Sequence, residues 1–170
     1  MAVTAPMNSV ASSTASSHGA AATASEQRWL SFHLAGQRYA APLEQVSEVI
    51  REGDITPVPG AAPDLLGIRH LRGRIVPVMD GRHRLGLPSN LAGDPASVRL
   101  VMLSHDSHLV GLRVDAVGEL LTFDQADIAP PPPDRAEREE DPVNGVLAVG
   151  EGFVALLDVR RLCRLPEDVK

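Results

Sequence analysis

The residues whose types could do chemistry are six histidines, one cysteine and a scatter of carboxylates. The closest cluster is His105-Asp106-Ser107-His108. Two imidazoles and a carboxylate could begin a metal centre, but zinc sites take three or four protein ligands and no other His or Cys has a matching spacing. The same residues fall between two apolar runs, where Asp106 and Ser107 suit a hairpin turn. His70, near Arg72, fits an exposed strand end more readily than the geometry a general base requires. Cys163 lies between Leu162 and Leu165 on a candidate helix, where a buried thiol is inert. The chain has no phosphate-cradling G-x-x-x-x-G-K-[ST] and no G-x-S-x-G nucleophile turn. Without a convergent nucleophile, base or metal, the expectation is a binding module and not an enzyme, with no cofactor. A metal-dependent enzyme on a β-barrel is the alternative from another class.

Binding chemistry has better candidates. In Val46-Ser47-Glu48-Val49-Ile50-Arg51, strand alternation puts Val46, Glu48 and Ile50 on one side. A carboxylate between two apolar neighbours on one face is an anomaly, although an edge residue in solvent would also explain it. Arg72 stands beside Gly73 in a tight turn. Its planar fork could hold a carboxylate or several carbonyls, or could simply be solvated.

Elements that would position these residues follow from pattern. Leu30, Phe32 and Leu34 share a strand face, Ala35-Gly36-Gln37 turns, and Arg38 to Ala41 returns to Pro42. Leu43 to Val46 suits one helical turn. The loop Gly53 to Pro63 is stiffened by prolines. Leu65 to Ile68 and Ile75 to Met79 form a strand pair around Arg72-Gly73, and Asp80 is placed to cap a short basic helical segment, Arg82 to Leu85. Val98 to Leu103 is nearly continuously apolar, hence buried on both sides. Leu109 to Val114 returns with Val110, Leu112 and Val114 inward. Val117 to Thr122 is another strand, and Phe123 to Asp127 a short helix. Pro130 to Pro133 suits polyproline II, and Asp134 to Asp141 a solvated acidic loop. Gly145 to Val149 and Phe153 to Leu157 form a last hairpin, and Asp158 caps a helix from Val159 to Leu165. Short strands with Gly and Pro turns indicate an all-β barrel or sandwich.

Composition narrows the partners. Of 170 residues, 44% are hydrophobic but only 3% aromatic, so aliphatic side chains must fill the core. A net charge of −6 argues against nucleic acid. The lone cysteine permits no internal disulfide and suits a reducing compartment. No apolar run approaches the roughly 20 residues of a membrane-spanning helix. Residues 1–27 are Ala/Ser/Thr-rich, lack the pattern of a signal peptide, and are expected to be a disordered tail before an ordered domain at 28–166.

One ordered run carries a family resemblance. Ile55-Thr56-Pro57-Val58-Pro59-Gly60, Leu71-Arg72-Gly73, Pro77-Val78, Asp80, Arg82 and Leu85-Gly86 match the pattern of CheW chemotaxis coupling proteins. Val110-Gly111-Leu112-Arg113-Val114-Asp115-Ala116-Val117, Asp127-Ile128 before Pro130-Pro131, and Leu156-Leu157-Asp158 extend the match from about Arg28 to Leu165. Arg69, His70 and Gly81 depart from it, standing where an apolar residue, Asn and Leu are usual. The resemblance implies two SH3-like five-stranded β-barrels over a shared apolar core, the first built from the middle of the chain. It implies a cytoplasmic adaptor, drawn to membrane receptor arrays through its partners. Those partners would be the regulatory domain of a CheA-type histidine kinase and the cytoplasmic tip of a chemoreceptor. The implied contact residues are Val46, Glu48, Ile50, Gly67, Arg69, His70, Arg72 and Gly73. The departures leave open a flagellar pathway, a pilus-motility pathway or another chemosensory system.

Overall fold

The computed structural model of the chain describes residues 26–88, 93–136 and 141–164. Most of the expected tail, the first half of the Ser89 to Ala96 loop, part of the acidic loop and the residues after Arg164 lie outside them. Among the described residues ten strands form two five-stranded sheets. The first contains β1 (Glu26–Leu34), β2 (Gln37–Pro42), β8 (Ala116–Asp124), β9 (Val143–Val149) and β10 (Gly152–Leu157), in the order β8-β1-β2-β10-β9. The second contains β3 (Val46–Arg51), β4 (Leu65–Leu71), β5 (Arg74–Asp80), β6 (Arg99–His105) and β7 (His108–Val114), in the order β3-β6-β7-β5-β4. Each sheet makes one SH3-like barrel. The barrel expected from the middle of the chain is that of the second sheet, the second barrel, and the chain's ends build the other, the first barrel.

Both barrels share one connectivity. A central hairpin, β1–β2 or β6–β7, pairs antiparallel through its first strand with a single strand, β8 or β3. Through its second strand it pairs in parallel with the end of another hairpin, β9–β10 or β4–β5. An aspartate then caps a four-residue helix in each case. Asp80 caps α1 (Gly81–Arg84), and Asp158 caps α3 (Val159–Leu162) by accepting from Arg160 and Arg161 backbone N–H groups. A third helix, α2 (Pro133–Ala136), follows the proline run and takes Pro133 as its first residue. Proline fits that position because no intrahelical partner is lost there.

Apolar residues sort into three cores. Trp29, Phe123, Leu147, Val154 and Leu156 fill one barrel. Val76, Val78, Leu100 and Met102 fill the other, with Ile50, Ile55 and Leu71 packed against them. The largest cluster lies between the barrels and draws on both, from Phe32, Leu34 and Tyr39 to Leu103, Leu112 and Leu162. Residues β6 Leu100 to Leu103 are fully buried because the strand separates two of these cores. Val110, Leu112 and Val114 are inward as the alternation requires.

Several boundaries differ from the sequence expectation. Strand β1 starts at Glu26, pairing Glu26 with Asp124. The first turn is two residues, Ala35-Gly36, and Gln37 already pairs with Leu34. Phe123 lies inside β8, which runs on to Asp124, and only Gln125–Asp127 is a 3-10 turn. Helix α3 stops at Leu162 with Cys163 as its cap. Asp141 is buried and accepts from Val143 N–H, so this end of the acidic loop is a structural anchor and not solvated surface.

Candidate functional site

Strands β3 and β4 are the two free edges of the second sheet. A barrel closes only if those edges meet, and the candidate contact residues lie along that seam. On β3, Val46, Glu48 and Ile50 are half-buried while Ser47, Val49 and Arg51 are exposed. The inward face holds Val46 against the inter-barrel core and Ile50 against the barrel interior. These two therefore support the seam from beneath. Glu48, between them, turns its carboxylate to Arg72 at the tip of the β4–β5 hairpin. Both guanidinium ends donate, Nη1 to Oε1 at 2.7 Å and Nη2 to Oε2 at 2.9 Å. The Arg72 side chain is 74% exposed and that of Glu48 only 21%. The carboxylate is thus the sheltered partner, and the guanidinium lies over it facing solvent. Arg72 and Gly73 both have positive φ, 51° and 79°, as a two-residue hairpin turn demands.

Farther along the seam, Arg69 turns inward. Its Nη1 donates to the carbonyls of Arg51 and Glu52, the latter at 2.8 Å. The guanidinium fits because Gly53 leaves room, since a Cβ there would sit 2.8 Å from Arg69 Cζ. Arg113 Nε holds the Glu52 carboxylate at 2.9 Å. Arg69 is thereby a clasp between the edges. Gly67 has a structural reason to be glycine, because a Cβ would meet the Thr56 carbonyl oxygen at 2.2 Å. Thr56 bridges to Ile68 and seals the loop after β3 onto β4. His70 lies within β4, exposed and opposite Ile75. Glu48, Arg72 and Gly73 are thus brought together, with Arg69 lower on the same seam and His70 on the adjoining surface.

Two features escaped the sequence. Arg82 in α1 donates through Nε and Nη2 to Asp115, at 2.8 to 3.0 Å. Asp115 also accepts from Ala35 N–H at 2.7 Å, in the β1–β2 turn of the other barrel. Its hydrogen bonds to the Asp115 carboxylate hold the Arg82 guanidinium above its ordinary pKa, against the opposing effect of burial. The signal available was a charged residue ending the apolar run Leu109 to Val114. Second, Gly81 is forced: a Cβ would lie 2.6 Å from the Arg113 carbonyl, and Leu34 fills the adjacent space. His105 and His108 face each other across the Asp106-Ser107 turn, and His105 pairs with Asp106 at 3.0 Å. Burial pushes the Cys163 thiol up to about 12, with Arg84 opposing.

Known proteins share this architecture. The family model described as CheW-like domain matches residues 28–167. The chemotaxis protein CheW of Rhizobium meliloti is 30% identical over 131 residues, covering 76% of this chain and 83% of that protein. Protein FrzA of Myxococcus xanthus is 33% identical over 107 residues, covering 63% of this chain and 66% of its own. The crystal structure of the scaffolding protein TtCheW from Thermoanaerobacter tengcongensis superposes with a TM-score of 0.73 at 27% identity, over 82% of this chain and 93% of that one.

Proposed function

This chain belongs to the CheW-like domain family, and from that premise we propose that it is a non-catalytic adaptor joining a chemoreceptor tip to a CheA-type histidine kinase. The adaptor role in chemosensory signalling is the family's; the two partners, and a cytoplasmic position at receptor arrays, are the finer part of the proposal. No helix among the described residues is long and apolar enough to cross a membrane.

The observation that carries the reading is the Glu48–Arg72 fork at the barrel seam. A sheltered carboxylate aims a guanidinium at solvent and leaves its outward N–H groups available. That arrangement suits recognition of a helical partner's polar groups, with Val49, 38% exposed, as the adjoining apolar contact. Gly73 allows the turn, and His70 borders it. Val46, Ile50, Gly67 and Arg69 act through the seam they hold in place. A second reading places the same role in a different chemosensory pathway. Its support is the identity to FrzA, which equals that to the chemotaxis CheW within a few per cent.

The test separates contact from fold. The Arg72 ion pair is exposed, so Arg72→Ala should change stability by no more than about 1 kcal/mol. Affinity for a receptor cytoplasmic hairpin tip should fall more than about tenfold, the effect of losing roughly 2 kcal/mol at an interface centre. Titrations of both proteins against the receptor tip and the kinase regulatory domain, with melting curves alongside, read out each term. Unchanged receptor affinity in a folded variant removes Arg72 from the contact.

A further inference from the structure

We infer that the pocket between the β6–β7 hairpin, β5 and α3 binds an acidic peptide segment of a partner that also carries an apolar anchor residue. This site differs from the Glu48–Arg72 fork and does not depend on its role. The cavity is about 470 Å³. Arg74 of β5 and Arg160 and Arg164 of the α3 region line it, with His105 and His108 from the facing hairpin. Among the described residues no carboxylate lines it, the nearest being Asp106 on His105, although the chain as a whole carries a net charge of −6. Such a local reversal of sign focuses an attractive field on anions.

The arginines are not all occupied elsewhere. Arg69, Arg72, Arg82, Arg84 and Arg113 are each engaged within the chain. The exposed side chains of Arg74 and Arg160 have neither a hydrogen bond nor an ion pair among the described residues. Beside them Ile75 is 63% exposed, and Leu109 and Pro77 continue an apolar wall. A ligand that matches must present carboxylates to guanidinium forks and one apolar group to Ile75. Among the described residues the wall has no aromatic ring on which a base could stack, which disfavours a nucleotide or single-stranded nucleic acid. Guanidiniums set around an open apolar wall suit a short peptide of mixed Glu, Asp and Leu.

The experiment uses the full chain and a dye-labelled probe peptide, acetyl-Asp-Glu-Leu-Glu-Asp-Leu-Asp-Glu-amide, followed by fluorescence anisotropy. Binding should weaken markedly between about 50 and 300 mM salt, as screening between exposed charges requires. Arg74→Glu with Arg160→Glu should weaken it at least about tenfold, while the paired Lys substitutions should retain most affinity. Ile75→Ser should weaken it independently, by about fivefold, the loss expected of one apolar anchor. Melting curves check that each variant is folded. The inference falls if the wild type does not bind the probe, or if the charge-reversed protein binds equally well. It also falls if inorganic phosphate or ATP displaces the peptide completely at equal concentration, since the site would then be for small anions. Tighter binding after truncation at Arg164 would make the chain's own Glu167 and Asp168 the occupant and likewise overturn it.

Discussion

Cys163 closes the last turn of α3 and packs against the core between the barrels. Burial raises its pKa to about 12, so at neutral pH the nucleophilic thiolate is almost absent. Alkylation of the native protein by iodoacetamide should therefore be far slower than that of the urea-unfolded chain. Its rate should climb with pH without levelling near 8.5, the ordinary thiol value. The linkage has a definite sign. A raised pKa favours the folded state's neutral thiol, so this contribution is intact below about 8.5 and is lost as pH rises toward 12. A plateau near pH 9 would show that the thiol is solvated. The sheltering of this thiol, which is partly buried, was legible from its apolar surroundings, and Glu48 was legible as an anomaly between Val46 and Ile50. The inward clasp of Arg69 was not, because a guanidinium on an alternating strand gives no sign of which carbonyls lie across a barrel seam. The partnership of Arg82 with Asp115 was hidden for the same reason, since 33 residues separate them.

The strands were legible because their apolar alternation and turn residues agree, and the tight turns show how hairpins are set. Three of them place two successive residues at positive φ: Ala35 and Gly36, Arg72 and Gly73, Asp106 and Ser107. Such turns match the right-handed twist of paired strands and favour Asn followed by Gly. Ala35 is the misfit, held at φ 51° with a Cβ that the left-handed region disfavours. Ala35→Asn keeps the backbone N–H that Asp115 accepts and supplies the preferred residue. It should stabilise the fold by about 0.5–1 kcal/mol, raising the thermal midpoint by roughly 2 °C. A lower midpoint would mean that the turn is strained for reasons other than its dihedral preference. Helix lengths were not legible. Leu162 and Leu165 are spaced for one helical face, yet α3 ends after Leu162 because Cys163 leaves helical geometry as its cap.

At the scale of the whole molecule, alternation could not say which sheet each strand joins. Strand β8 pairs with β1 across Glu26–Asp124, a separation no local pattern reports. The division into two barrels was legible only through the family resemblance. What fastens the barrels is the shared apolar core together with one polar tie. Asp115 joins Arg82 of one barrel to the Ala35 N–H of the other. The side chains are 11% and 21% exposed for Arg82 and Asp115, sheltered but not dry. Asp115→Ala would take the carboxylate acceptor away from a mostly buried guanidinium and from an N–H donor. A fully buried pair broken this way costs about 3–5 kcal/mol, and partial solvation should reduce that to about 2–3 kcal/mol. Arg82→Met combined with Asp115→Ala should recover part of the loss, because the sheltered charge that had lost its carboxylate is then removed as well. The chain's single tryptophan, Trp29, lies inside the first barrel, so its fluorescence reports that barrel while circular dichroism reports both. In the wild type the two unfolding curves should coincide, as the inter-barrel core couples the halves. In Asp115→Ala both midpoints should fall together, since that core remains. A change within about 0.5 kcal/mol would demote the tie to a surface contact. Curves that separate in the variant would instead show that Asp115, more than the apolar interface, makes the two barrels one cooperative unit.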